Sequence, residues 1–367
     1  MNILFFGDYS NVHASLASEL RKRGHSVISI SDGGRYMDTE KDITLDRRPG
    51  VGGTIRYFYD LARMFPKFKG FDVVQLINPH FLSLKPEKLK YFFNLLKKNN
   101  RSVFLTLAGN DFHFVDACIN SDMFRFSEFR VGKSPTEFDV HTRHSALWTQ
   151  PVCRDYAEYI YDNIDGAMSL LPEYDMASRP ALGERLDFTN LPIDLSQYEF
   201  NPIQDPEKIK LFIGIKGGMK VQKGTGLLLE MCNRIEQRYP ELCEVECVSN
   251  LSLKEYLKRM SKSHIVLDQL YSYSPGMNAL QAMALGRIAA TGGQPEYYDY
   301  INRDSHPLIP LSPLKTMDEW EDVLLNLMQN PAKLHEMSVE GRRLVERNND
   351  IRMVADRFEN HWNRILN

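Results

Sequence analysis

"SYSPGMNALQAMALGRIAATGG", residues 272–293, reads as a helix running straight into a buried strand. Ser274 is a suitable N-cap, and Pro275 suits the first helical position. Met277, Leu280 and Ala284 then recur at helical spacing until Gly286 stops the helix. "RIAATGG" follows as a small-residue apolar run of the kind found in buried strands. A helix start with a glycine at its mouth, here Gly276, presents unpaired N–H groups and the positive end of a dipole, which suits an anion. Gln281 is the unexpected residue, a polar side chain in the first two turns of an otherwise apolar helix. A plain packed helix is the alternative reading.

The same rhythm extends to both sides of this stretch. Before it, "IKLFIGI", "CEVECVS" and "HIVLDQL" read as strands separated by the helical runs "GTGLLLEMCNRIEQRYP" and "SLKEYLKRMSKS". The first hundred residues alternate in the same way: "NILFFG", "HSVISIS", "FDVVQLIN" and "RSVFLTLAGND" are strands with helices between them, the first ending at Gly24. Near-continuous apolar strands alternating with helices specify parallel sheets covered on both faces. Ligands of such sheets sit at the carboxyl ends of the strands, which places "GDYSN", "NPH" and "AGND" along one rim. Residues 116–149 break the rhythm; they are aromatic and basic, and read as an insertion over that rim. The proline-rich "FTNLPIDLSQYEFNPIQDPEK" reads as a domain junction. Near the end, Ile351, Val354, Phe358, Trp362 and Ile365 form one apolar stripe of a helix.

Composition narrows the class. A chain of 367 residues exceeds what one core usually supports, and 43% hydrophobic with 25% charged residues is a globular balance. A formal net charge of −3 gives no reason to expect nucleic acid, so any anion site must be local. Five cysteines, odd in number and without CxxC spacing, suit reduced thiols in a cytoplasmic protein and no zinc site. No apolar run approaches a membrane span, and the N-terminal residues do not read as a signal peptide. The short basic runs "KFKG" and "LRKRGH" suit peripheral contact with the inner face of a membrane, although such runs are more commonly solvated faces. The absence of GxGxxG after either first strand weakens a dinucleotide-dehydrogenase reading.

Four pieces, in order, carry a resemblance: "RKRGHSV", "NLPIDLSQYEF", "MKVQKGTGLLLE" and "LDQLYSYSPGMNALQAMALG". Together they resemble the GT-B fold glycosyltransferases, specifically the retaining family 4 (group 1 glycosyltransferases). The resemblance implies an α/β fold of two doubly wound, Rossmann-like parallel-sheet domains with a C-terminal crossover helix. The expected division is an acceptor-side domain over 1–195, a nucleotide-sugar-binding domain over 205–345, and a crossover helix over 346–367 packed back on the first. The implied activity is transfer of a sugar, with retention, from a nucleotide diphosphate sugar to a saccharide or lipid-linked saccharide acceptor, as in polysaccharide biosynthesis. No cofactor is expected, and no metal, since no DxD motif is present.

The resemblance also assigns residues. Lys220 and Lys223 take the two basic positions that hold the diphosphate and stabilise charge on the leaving group. Ser274, Gly276, Met277, Asn278 and Gln281 form the donor-binding helix start, with Gln281 where the family places a glutamate on the ribose hydroxyls. A second family glutamate, eight residues earlier, is Tyr273 here. Asn11 and His13 occupy the loop expected to reach donor phosphate and acceptor. Asp111, with Asn110 beside it, and then His80 are the expected polar groups at the reaction centre. Loss of both glutamates keeps a non-catalytic GT-B binding module as an alternative, and a sugar-nucleotide epimerase is a second. Bare residue reading makes a lone His or Asp in a loop an ordinary cap or surface group more often than a catalyst.

Overall fold

The computed structural model describes residues 1–31 and 41–367. Contacts divide the chain into two units, residues 1–117, 146–192 and 351–367 in one, and 118–145 with 193–350 in the other.

The first unit is built on β1 (Asn2–Phe6), β2 (Ser26–Ser31), β3 (Ile43–Thr44), β4 (Val73–Leu76) and β5 (Ser102–Leu107). The intervening insert carries a small antiparallel hairpin, β6 (Arg130–Val131) and β7 (Ser134–Pro135), and the sheet then resumes with β8 (Gly166–Ser169) and β9 (Leu186–Phe188). Their order is β3-β2-β1-β4-β5-β8-β9, with every neighbouring pair parallel. Every residue of β4 and β5 is buried, as a strand covered on both faces requires. The order reverses at β1, so the switch point lies between the carboxyl ends of β1 and β4.

The apolar stripe near the end forms the helix Ile351–Leu366, with Ile351, Val354, Phe358 and Trp362 buried in the first unit. Gly166, at the start of β8, makes room for it, because a Cβ there would lie 2.5 Å from His361 Nε2 and 2.6 Å from Ile365 Cδ1. Arg23 donates to Asp356, to Glu359 and to the Arg352 carbonyl, and His25 pairs with Glu359 at 2.7 Å. Two members of the basic run "LRKRGH" are thus engaged in docking this helix.

The second unit is built on β10 (Ile209–Gly214), β11 (Cys243–Val248), β12 (Ile265–Leu267), β13 (Ile288–Thr291) and β14 (Ile309–Pro310). The order is β11-β10-β12-β13-β14, again all parallel, which puts its switch point between β10 and β12.

One boundary departs from the sequence reading. Residues 118–145 were expected within 1–195, over the first rim, and they pack instead as part of the second unit. The chain therefore passes between the units four times. No helix among the described residues is long and apolar enough to cross a membrane.

Candidate active site

In the second unit the loops leaving β10 and β12 meet at the switch point. The first loop is locked to the second by its backbone, since the Leu270 N–H donates to the Lys223 carbonyl at 2.9 Å. Gly224 follows with φ of 69°, and a Cβ there would approach Leu270 Cβ to 2.8 Å, so both conformation and space call for glycine. Lys223 reaches Asp268, just past the end of β12, with Nζ 3.4 Å from Oδ1. Asn278 donates to the same oxygen at 3.2 Å, and the Tyr256 hydroxyl donates to Asn278 Oδ1 at 2.8 Å. Asn278, expected at the donor, braces Asp268. Lys220 is exposed, and its stem crosses the start of the next helix, because a Cβ on Gly226 would lie 2.9 Å from Lys220 Cε.

The helix of the opening stretch spans Met277–Ala284, with Gly276 as its N-cap and no side-chain cap. The N-cap expectation for Ser274 is thereby corrected: Ser274 is fully buried two residues before the cap, where its carbonyl accepts the Ser272 hydroxyl at 3.0 Å. Extended Gly276 has no side chain with which to cap the first N–H groups of the helix, an arrangement that suits an anion. Gln281 is 4% exposed and donates from Nε2 to the Tyr198 hydroxyl at 3.2 Å.

Tyr273 has a different occupation from a sugar contact. Its ring stacks on Phe126 at 4.7 Å and 22°, and its oxygen accepts the Arg125 backbone N–H at 2.6 Å. Arg125 lies 5.6 Å over the ring and grips Glu296 at 2.8 and 3.0 Å, while Gln222 donates to Glu128 at 2.7 Å. Tyr273 is the anchor of the 118–145 segment on the second unit.

In the first unit a cavity of about 210 Å³ opens at the switch point, lined by Gly7, Asp8 and Tyr9 after β1 and by Ile77 and His80 after β4, among others. Burial holds His80 below its usual pKa, against the opposing pull of Asp111, so its imidazole is neutral near pH 7. The ring is set edge-on to Trp148 and Tyr156 at 4.9 and 5.3 Å. Asn78 donates to the carbonyls of Ala108 and Asn110 at 2.7 and 3.2 Å, stapling the loops after β4 and β5.

Asp111, expected at the reaction centre, and His13, expected on the phosphate and acceptor loop, are both engaged in structure. Asp111 is buried, accepts the Phe114 N–H at 2.8 Å at the start of the helix Phe112–Asn120, and accepts the Tyr161 hydroxyl at 2.7 Å. It is a helix cap and a core partner. His13 is also buried; its Nδ1–H donates to the Gly7 carbonyl at 2.7 Å and its Nε2 lies 3.0 Å from the Thr106 hydroxyl. Burial pushes its pKa down to about 3, so it is a neutral brace turned into the core. Asn11, with φ of 66°, donates to Ser15 at 3.2 Å.

Sequence reasoning missed Asp8 and Asp268. The carboxylate of Asp8 accepts the N–H groups of His13 at 3.1 Å and Ala14 at 3.3 Å, filling the anion site at the start of the helix Val12–Lys22. Burial raises its pKa to about 6 despite those hydrogen bonds. An acidic residue just ahead of a helix, and an Asp just past a buried strand, were the available signals.

No protein-family model and no curated protein matches this sequence. Solved structures do match. Sucrose-phosphate synthase from Thermosynechococcus elongatus superposes with a TM-score of 0.65 at 13% identity, over 100% of this chain and 99% of that one. HepE from Anabaena, solved with UDP and glucose, gives 0.60 at 12% identity over 98% of each chain. A UDP-N-acetylglucosamine 2-epimerase, so described as putative, from Listeria monocytogenes gives 0.56 at 11% identity, over 97% of this chain and 94% of that one. The fold is GT-B.

Proposed function

We propose that this chain is a glycosyltransferase that moves a sugar from a nucleotide diphosphate donor to a saccharide or lipid-linked saccharide. The carrying observation is the meeting, at the second unit's switch point, of Lys223 and the helix start Gly276–Met277 beside Asp268, with exposed Lys220 on the same loop as Lys223. Departure of a nucleoside diphosphate builds negative charge. Preorganised ammonium groups and backbone N–H donors offset that charge without reorganising as the bond breaks. Lys223, held by Asp268, is fixed in advance; exposed Lys220 completes the pair from solvent. This role needs no metal ion.

The neighbours are in keeping with this division. HepE was solved with UDP and glucose. On the first unit, the cavity bearing Asp8, Tyr9 and His80 is the candidate acceptor subsite. Retention of configuration, a role in polysaccharide assembly and peripheral attachment to the inner face of a membrane belong to the same proposal and follow the family resemblance.

A thermal-shift screen across UDP-, GDP-, ADP- and CMP-sugars tests it. Stabilisation by a diphosphate sugar, with release of the nucleoside diphosphate when a saccharide acceptor is added, is the expected result. No response to any diphosphate sugar would remove the proposal. The epimerase neighbour supports a second reading, and incubating the donor without acceptor distinguishes it: an epimerised sugar nucleotide would favour that reading.

A further inference from the structure

The second unit contains a buried carboxylate oxygen with nothing donating to it. Asp268 is 4% exposed; Oδ1 takes Lys223 and Asn278, and Oδ2 has no hydrogen-bond partner among the described residues. Such an atom is costly, because a buried acceptor loses its water without replacement. Its surroundings say what belongs beside it. An ideal Cβ placed on Gly276 would lie 3.6 Å from Oδ2 and 3.4 Å from Gln269 Nε2, so the oxygen faces the uncapped start of the 277–284 helix. Space in front of the carboxylate exists because residue 276 carries no side chain.

The geometry points to Asp268 as the acceptor for a hydroxyl of the transferred sugar, beside the diphosphate held by Lys223 and the helix start. This assignment rests on the glycosyltransferase reading above. The matching ligand must be anionic at one end, for Lys223 and the helix N–H groups. Within a few ångströms it must also carry an uncharged hydrogen-bond donor for Oδ2. A free anion satisfies the first demand and is repelled by the second; a cation competes with Lys223. A sugar phosphate satisfies both. The hydroxyl-accepting carboxylate thus sits on the strand end, five positions before Tyr273, whose own side chain is committed to the 118–145 segment.

The test compares affinities for UDP, GDP and ADP with those for UDP-glucose, GDP-mannose and ADP-glucose, and follows the pair that binds the wild type most tightly. Asp268→Ala and Asp268→Asn should weaken the sugar nucleotide about tenfold more than its nucleoside diphosphate. Lys223→Ala should weaken both members of the pair by the same factor. Gly276→Ala, whose added methyl meets nothing closer than 3.4 Å, should fold with unchanged melting and reproduce the selective loss. Equal weakening of both ligands in the Asp268 and Gly276 variants would overturn the assignment while leaving the glycosyltransferase reading intact. If no pair binds the wild type, both fall together.

Discussion

Trp362 donates its indole N–H to the side-chain oxygen of Gln75 at 2.9 Å, across 287 positions of sequence. The contact starts a buried chain. Gln75 Nε2 donates to Thr106 Oγ1 at 2.9 Å, Thr106 is 3.0 Å from His13 Nε2, and His13 Nδ1 is 2.7 Å from the Gly7 carbonyl. An indole only donates and a carbonyl only accepts, so both ends fix the direction of every bond between them. Trp362→Phe keeps the ring and strands the Gln75 oxygen, and should cost about 1–3 kcal/mol in urea unfolding. An unchanged midpoint would show that the chain carries no energy.

Two groups on the loop after β1 titrate in opposite senses. Folded His13 has a pKa of about 3 against 6.5 ordinarily, so the folded state binds fewer protons between those values, and its contribution to stability is lost as pH falls below 6.5. Folded Asp8 has a pKa of about 6 against 3.8, so the folded state binds more protons between those values, and its contribution is lost as pH rises through 6. From about 4 to 6 the slopes oppose, each up to about 1.4 kcal/mol per pH unit. His13→Gln should therefore gain stability relative to wild type as pH falls across that window, and Asp8→Asn should lose it. Parallel curves for all three proteins would contradict this.

The two lysines should behave differently. Lys220 is exposed and Lys223 faces a buried carboxylate. Lys220→Ala should leave melting unchanged and cost roughly 2–4 kcal/mol in transition-state stabilisation, read as kcat/KM. Lys223→Ala should show a similar kinetic loss and also lower the melting temperature, because buried Asp268 is left without its cation. Near-normal turnover in both would remove them from the site.

Gln281 offers a test of the ribose contact. Its amide nitrogen is taken by Tyr198, which leaves the carboxamide oxygen for a diol. Gln281→Leu should weaken nucleoside diphosphate binding by about 1–3 kcal/mol, and Gln281→Glu should keep or tighten it. Equal affinities for wild type and the Leu variant would make Gln281 a packing residue.

Restoring the family glutamate at position 273 should be harmful here. Tyr273→Glu removes the stack on Phe126 and brings a carboxylate into a buried aromatic contact. Residues 118–145 should become open to limited proteolysis while the rest of the second unit stays resistant. Unchanged resistance would show that Arg125 and Glu128 alone hold the segment.

The sheets were legible because their central strands are buried on both faces, which writes "VVQL" and "SVFLTL" as apolar runs without any partner information. The crossover helix was legible for the same reason, its stripe being periodic. Allegiance of 118–145 was not, because it is decided by Tyr273 with Phe126 and by Arg125 with Glu296, pairs that no local pattern links. Carboxylates divided along the same line. Asp111 looked catalytic from its place after β5, yet Phe114 and Tyr161 use both of its oxygens. Asp268 looked like a strand residue, and only its unpartnered oxygen marks it out. Residue type and position were visible in sequence; the number of donors around an oxygen was not.

The interlacing of the two units bears on how the chain is made. A ribosome delivers residues 1–192 first, yet the helix that covers β1, β5 and β8 is synthesised only after the whole of 193–350. Until then Gln75 has no indole and Gly166 faces an empty groove. The segment 118–145 waits in the same way for Tyr273. The second unit has all of its residues once position 350 is made, whereas the first still lacks 351–367, so the first unit's sheet carries exposed apolar surface while the second is being synthesised and should complete its packing last.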